Sequence, residues 1–359
     1  MGKALLKNIN LLKKYHHSLV FDYTEYPTKG VWSMEMKDAS YRAALKDFLT
    51  KTPNAPVLFY VHTPFCEELC YFCLCSKEIT KDYGQVVNYL NNYLLKEIQI
   101  LKDFLTENNL KVNVKEIYFG GGSPTYYKEP EFELLLSKLK ELIDFKKIET
   151  FTVEVDPRRV DVERLKFYHR CGVTRLSFGV QDFDPEVQKE INRIQPPELL
   201  YNLLTPEIRE LFPTVNFDIL IGLPKQTTAS IRKTIETVVD LKPAQVQTLY
   251  VHYKPNVRKY MTQMLRNGPL PDFYDRKALF LEVVETLLKG GYKRVGFEDF
   301  ALPESKLSSK ADEQAAYYNS LGTTTGEAPN FLAVGSSAHG VFGDYYFQNF
   351  YEQSLYQKS

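Results

Sequence analysis

Tryptophan is nearly absent, with one in 359 residues, and cysteine and methionine are scarce at five each. Net charge is absent as well, since 45 Lys and Arg balance 45 Asp and Glu. A balanced chain offers no electrostatic ground for binding nucleic acid or an acidic membrane surface, and neither is expected. No apolar run reaches the roughly 18 residues of a membrane span, so no membrane-crossing helix is expected. The opening, Met1 to His17, lacks the long apolar stretch and small-residue cleavage site of a secretory signal. It reads as an amphipathic helix, and the expected location is the cytoplasm. What is present is core-forming material: 44% of residues are hydrophobic, with 25 Tyr and 23 Phe, which excludes a disordered chain. The length suits one large domain or two ordinary ones.

Short apolar runs alternate with longer stretches of helical period. Strands are expected over 57–61, 114–119, 151–155, 175–180, 215–221 and 246–252. Helices are expected over 85–105, 130–143, 162–169, 185–192, 198–211, 229–241 and 274–289. These segments are read as mainly apolar runs, as in a parallel sheet covered on both faces. Six such repeats predict an α/β fold, a partial (β/α)6 TIM-like barrel. In that architecture chemistry sits at the C-terminal ends of strands. Glu154, Gln181, Asp218 and His252 fall at or near those ends. The expected organisation is an N-terminal arm and helix over 1–54, the barrel over 55–300, and a short C-terminal extension over 301–359, where the pattern loosens.

The cysteines are unevenly placed. Cys66, Cys70, Cys73 and Cys75 fall within ten residues, while Cys171 stands alone before Gly172 and reads as a small apolar group. In a reducing compartment so tight a cluster reads as a metal site rather than a set of disulfides. Tetrahedral zinc usually takes two pairs of ligands from different places, and no second pair exists here. An iron–sulfur cluster accepts thiolates from one loop. The C-x3-C-x2-C spacing of Cys66, Cys70 and Cys73 resembles the radical S-adenosylmethionine (radical SAM) superfamily. That resemblance implies a 4Fe-4S cluster with one iron open to S-adenosylmethionine, and reductive cleavage to methionine and a 5'-deoxyadenosyl radical that abstracts hydrogen from an organic substrate. Tyr71 and Phe72 lie inside the loop, where an aromatic ring can stack on adenine. Gly120-Gly121-Gly122-Ser123 follows the second strand; it reads either as a tight turn or as backbone with free N–H donors for the methionine part of the cofactor.

The likeness narrows further. Tyr60-Val-His-Thr-Pro-Phe-Cys66, Phe119-Gly-Gly-Gly-Ser-Pro-Thr125, Val153-Glu-Val-Asp-Pro-Arg158, Arg175-Leu-Ser-Phe-Gly-Val-Gln181 and Phe217-Asp218 together resemble the oxygen-independent coproporphyrinogen III oxidases. So does the arm Tyr23-Thr-Glu-Tyr-Pro-Thr28. The resemblance implies one or two bound S-adenosylmethionines, a small-molecule substrate and a reductant such as flavodoxin or ferredoxin. By motif, Tyr60, Gly121 and Glu154 match contacts to the cluster-bound cofactor. Phe72, Gly122, Ser123, Gln181, Arg193 and Asp218 match positions around a second. A carboxylate such as Glu154 or Asp218 can accept from ribose hydroxyls, and Arg193 can pair with a methionine carboxylate or form a surface salt bridge. For Asp218, flanked by Phe217 and Ile219, isolated burial is costly and a bound partner is expected.

Departures from the oxidases gather on the substrate side. Phe297-Glu298-Asp299-Phe300-Ala301 stands for Met-Asp-His-Phe-Ala, and Asn319-Ser-Leu-Gly322 for Asn-Phe-Gln-Gly. Gly335-Ser-Ser-Ala-His339-Gly resembles the related heme chaperones, and the family's C-terminal helical domain is expected to be absent. Three functions compete: decarboxylation of a tetrapyrrole propionate to a vinyl group, with porphyrin biosynthesis as its setting; class C methyl transfer or cyclopropanation with two S-adenosylmethionines; and a heme-chaperone role without turnover. Cys75 reads as a substrate-side thiol or a packed one. His339 reads as an active-site or a structural histidine, and His252 as a ligand contact or a bystander. His16, His17 and His169 read as surface residues.

Overall fold

The computed structural model describes Trp32 and residues 37–359. The amphipathic helix expected over the first residues, His16, His17 and the Tyr23–Thr28 motif lie outside the described residues. Among the described residues fifteen strands follow in chain order. They are β1 (Pro56–Thr63), β2 (Phe65–Cys66), β3 (Glu78–Ile79), β4 (Asn113–Gly121), β5 (Thr150–Val155), β6 (Arg175–Gln181), β7 (Thr214–Ile221) and β8 (Gln245–Tyr250). Then come β9 (Lys293–Arg294), β10 (Asp299–Ala301), β11 (Tyr317–Asn319), β12 (Gly322–Thr324), β13 (Asn330–Val334), β14 (His339–Phe342) and β15 (Tyr345–Gln348). The six strands legible as apolar runs are β1 and β4 to β8, within one or two residues at most ends.

The described residues form two compact units. The first holds residues up to 68, 75–176 and 326–359; the second holds 69–74 and 177–325, and the boundary falls inside β6. In the first unit the strand order is β15-β14-β13-β1-β4-β5. Strand β1 lies parallel to both β4 and β13, with Phe59 opposite Ile117 and Leu332. All of β1 except Pro56 is buried, as a strand with both faces covered requires. In the second unit the order is β6-β7-β8-β10-β9, with β7 parallel to β8 and β10 antiparallel to it.

The chain beyond 300 does not lie apart from the sheet. Residues 326–359 supply β13, β14 and β15 to the first unit, and Glu97 pins them there. Its partly buried carboxylate accepts from the Gly335 N–H at 2.7 Å, Asn349 Nδ2 at 2.6 Å and the Tyr356 hydroxyl at 2.6 Å. Burial raises the Glu97 carboxyl above its ordinary range, while these three donors pull it back. The helix Asp38–Lys51 also belongs to this unit, burying Leu45, Phe48 and Leu49.

The stretch read as one helix over 85–105 is interrupted. Tyr83–Tyr89 passes through a wide π turn, Leu90–Leu94, before the helix Leu95–Glu107. The wide turn re-phases the apolar face, so that Tyr89, Leu90, Leu94 and Ile98 are all fully buried. Elsewhere the expected helices form, with the one expected over 198–211 split into Glu198–Leu203 and Pro206–Leu211. Pro206 takes the first helical position of the second piece, and the Thr205 hydroxyl caps it. Among the described residues no helix is long and apolar enough to cross a membrane.

An aromatic core locks helix to sheet in the first unit. The Phe132 ring, on the helix Glu129–Lys140, lies 5.5 Å from Phe119 of β4 and 5.0 Å from Tyr168. Phe119 in turn meets Phe151 of β5 edge-on at 5.0 Å. Replacing Phe132 with Ala leaves a cavity among these rings and is expected to cost about 3–5 kcal/mol. Urea unfolding followed by circular dichroism measures it; a loss below about 1 kcal/mol would contradict this view of the core.

Candidate functional site

In the first unit the site grows from the end of β1. Successive strand side chains alternate in direction, so Tyr60 and His62 share a face. The Tyr60 hydroxyl lies 3.1 Å from His62 Nδ1, and His62 Nε2 lies 3.0 Å from the Ser76 carbonyl. A carbonyl only accepts, so Nε2 carries the proton and Tyr60 donates to Nδ1. The Ser337 hydroxyl stands 3.3 Å from the same Nε2. Burial pushes the Tyr60 phenol well above its ordinary range, with Glu154 and then Cys75 adding to the shift, which keeps it a donor.

Glu154, near the end of β5, accepts from the Tyr118 hydroxyl at 3.0 Å and from the Gly121 N–H at 3.1 Å. Gly120 leaves room for this carboxylate, since a Cβ there would sit 2.8 Å from it. Gly121 has φ +108°, and its missing side chain clears the His62 ring. Gly122 donates to the Thr63 carbonyl at 2.7 Å and Ser123 to the Phe65 carbonyl at 2.8 Å. The expectation of free N–H donors at this run is therefore corrected. The donors of Gly121, Gly122 and Ser123 hold Glu154 and the backbone leading to Cys66. Strand β2 then sets Cys66 against Ile79 of β3.

In the second unit the segment 69–74 is gripped by three successive residues of another loop. The Tyr71 N–H donates to the Ile191 carbonyl at 3.0 Å. Asn192 Nδ2 donates to the Leu69 carbonyl at 2.8 Å, and Arg193 Nη1 approaches Cys70 Sγ at 3.7 Å. Asn192 adopts φ +54°, a conformation that Asn tolerates better than most residues. The Tyr260 hydroxyl donates to the Cys73 carbonyl at 2.5 Å. Beneath the segment, Tyr71, Phe72 and Leu74 pack on Val187, Ile191, Leu223, Met261 and their neighbours. Arg266 lies over the Tyr71 ring at 5.3 Å.

Arg193 is not a surface ion pair. It is 8% exposed, and its guanidinium donates to the Gly179 carbonyl and to Gln195 Oε1. Asp218 also has protein partners, Asn216 Nδ2 at 2.7 Å and the Ser177 hydroxyl at 3.3 Å, so burial by itself does not demand a ligand there. Gln181 ends β6 at φ +68°, the kind of backbone outlier often found at functional positions. His252 lies two residues beyond β8, partly buried, in the second unit. His339 opens β14 in the first unit, its ring 6.5 Å from that of Tyr60. Cys75 is exposed in the same unit. Cys171 is a bystander in the first unit: burial pushes its thiol up to about 11, with Glu133 adding to this. Asp299 accepts from the Thr323 hydroxyl at 2.6 Å and so fastens the β11–β12 hairpin. Beside it lies a cavity of about 310 Å³ lined by Arg294, Phe297 and Tyr318.

Sequence reasoning missed His62, Tyr118, Ser337, Gln195 and Tyr260. The alternation that places Tyr60 also places His62, so that signal was available. Tyr260 reaches Cys73 across 187 residues and leaves no local trace.

The donor set fits an iron–sulfur cluster. No disulfide engages the five cysteines; Cys70 is buried and Cys66 and Cys73 partly so. Thiols alone on one short loop, with a guanidinium beside one of them, suit a polynuclear cluster.

Comparison with known proteins agrees. The Radical SAM superfamily matches residues 60–238. The oxygen-independent coproporphyrinogen III oxidase of Salmonella typhimurium is 32% identical over 97% of this chain and 74% of its own length. That of Pseudomonas aeruginosa is 32% identical over 94% of this chain and 72% of its own. The solved coproporphyrinogen III oxidase of Escherichia coli, described as a radical SAM enzyme, superposes with TM-score 0.86 at 31% identity, covering 97% of this chain and 76% of that one. A Cβ at Gly122 would stand 2.7 Å from the Phe65 carbonyl, backbone that cannot give way without moving Cys66. Gly122→Ala is therefore expected to take up less than half the wild-type iron and sulfide on anaerobic reconstitution, and full uptake would contradict this geometry.

Proposed function

The chain belongs to the oxygen-independent coproporphyrinogen III oxidases of the radical SAM superfamily, and from that membership we propose that it converts propionate arms of a coproporphyrinogen to vinyl groups. The observation that carries this reading is near-full-length similarity to the oxidases, extending through the cysteine loop. The enzyme uses a 4Fe-4S cluster and S-adenosylmethionine. When bound, this pair supplies one-electron cleavage of a carbon–sulfur bond and hence the means to abstract hydrogen.

Cys66, Cys70 and Cys73 are the ligands in this proposal, within a radical SAM portion spanning 55–300. Tyr60, Gly121 and Glu154 hold the cluster-bound S-adenosylmethionine. Glu154 keeps an acceptor near the end of β5, oriented by Tyr118 and the Gly121 N–H. Gly121, Gly122 and Ser123 act by close backbone approach rather than by unspent donors. Phe72, Gln181, Arg193 and Asp218 serve a second S-adenosylmethionine, together with Gly122 and Ser123. Asp218 is fixed for that role by Asn216 and Ser177. Tyr71, Phe72 and Leu74 seat the loop on apolar side chains, which helps to exclude water.

The substrate propionate loses a hydrogen atom from the carbon β to its carboxylate, then carbon dioxide. One electron leaves with the hydrogen atom and a second must pass to an acceptor. Cys75, exposed and electrostatically coupled to Tyr60, is the proposed substrate-side thiol, with His339 and His252 as further polar groups. A reductant such as flavodoxin or ferredoxin supplies the electron for cleavage, and the proposed setting is the cytoplasm.

Anaerobic incubation with coproporphyrinogen III, S-adenosylmethionine and a chemical reductant is expected to give products lighter by one and two units of formic acid, with 5'-deoxyadenosine. Mass spectrometry reads both. S-adenosylhomocysteine without decarboxylated product would replace this reading with methyl transfer.

A further inference from the structure

The buried guanidinium of Arg193 is aimed at a cluster ligand by a dedicated polar scaffold. Nη2 donates to the Gly179 carbonyl at 2.7 Å and Nε donates to Gln195 Oε1 at 2.9 Å. Gln195 is itself 2% exposed and fully engaged. Its N–H donates to Gln188 Oε1 at 3.0 Å, and its Nε2 donates to the carbonyls of Gly179 and Val180. Gln188 Nε2 closes the arrangement by donating to the carbonyls of Gln195 at 2.8 Å and Asp182 at 2.9 Å. Gly179 makes room, since a Cβ there would lie 3.1 Å from Arg193 Nη2 and 2.9 Å from Gln181 Nε2. What this scaffold presents is Nη1, 3.7 Å from Cys70 Sγ.

A planar, permanently charged donor held beside a thiolate does more than position it. Hydrogen bonds to ligand sulfurs, local charge and burial set the reduction potential of an iron–sulfur cluster. Reduction adds one negative charge to the cluster, and a nearby cation stabilises the more negative state, more so where water is excluded. We propose that Arg193 is a tuning residue, which raises the potential of the 4Fe-4S cluster through its N–H contact to Cys70, with Gln195 and Gln188 as its positioning residues. This rests on the cluster assignment proposed above and extends it, because it gives Arg193 work to do before any S-adenosylmethionine binds.

The test is an EPR-monitored redox titration of the reconstituted, full-length protein without S-adenosylmethionine, with iron and sulfide counted in each sample. Arg193→Gln is expected to lower the equilibrium constant for reduction at least tenfold, about 59 mV for one electron. Arg193→Lys, which keeps the charge but not the planar fork, should recover more than half of that shift. Gln195→Leu, which leaves the guanidinium but removes an anchor, should shift the potential in the same direction and serves as the test should Arg193→Gln take up no cluster. A fully loaded Arg193→Gln or Gln195→Leu protein within twofold of wild type overturns the proposal. Wild-type protein that binds no cluster overturns the assignment beneath it, an outcome visible in the iron count before any potential is measured.

Discussion

The grip of residues 191–193 on the cysteine loop is the constraint on which the candidate site depends. A backbone carbonyl, an amide side chain and a guanidinium in sequence hold Tyr71, Leu69 and Cys70. Loops carrying several thiols are conformationally costly to order, since each fixed residue loses backbone freedom. Here that cost is offset by three polar contacts and by the burial of Tyr71, Phe72 and Leu74 on an apolar cluster. Asn192 accepts an unusual backbone angle so that its two neighbours face the loop.

A comparable economy operates at the end of β4. The glycine run there contributes little by way of unspent donors. Its value lies in what it lets approach: the Glu154 carboxylate at Gly120, the His62 ring at Gly121 and the carbonyls of Thr63 and Phe65 at Gly122. Each glycine is thus a solved crowding problem, and together they fix the backbone that delivers Cys66. Tyr60, His62 and Ser337 add a directed chain of hydrogen bonds whose polarity follows from a single carbonyl at Ser76. Local structure and site chemistry are set by the same few atoms.

Much of this was legible in the sequence. Strand β1 is a nearly continuous apolar run and β4 to β8 carry apolar residues at alternate or clustered positions, and the polar residues that define the site lie at or near their ends. The cysteine spacing pointed to the cluster, and the motifs carried the family. Other features were not legible there. Strands β9 to β15 are short and several are part-exposed; β10 and β13 pair with β8 and β1, β9, β14 and β15 add to them, and β11 and β12 pair only with each other. The donors at Gly121 to Ser123 looked available because nothing in the sequence says which carbonyl an N–H will find. In sequence Arg193 is compatible with a surface ion pair; in the fold Gly179 and Gln195 enclose it. Asp218 reads as needing a ligand because the sequence does not show that Asn216, two residues away on the same face of β7, is its partner. For the short strands, the glycine-run donors and Arg193 the missing information is tertiary, whereas for Asp218 it is local, the strand alternation that puts Asn216 on its own face.

The central claim is that three thiols of one loop, and not the other two cysteines, hold a 4Fe-4S cluster. Anaerobic reconstitution of the five single Cys→Ala variants, with iron counted per chain and the cluster identified by Mössbauer spectroscopy, tests it most directly. The account predicts loss of the intact cluster for Cys66→Ala, Cys70→Ala and Cys73→Ala, and full occupancy for Cys75→Ala and Cys171→Ala. A full 4Fe-4S cluster in any of the first three, or its loss in Cys75→Ala, would contradict it.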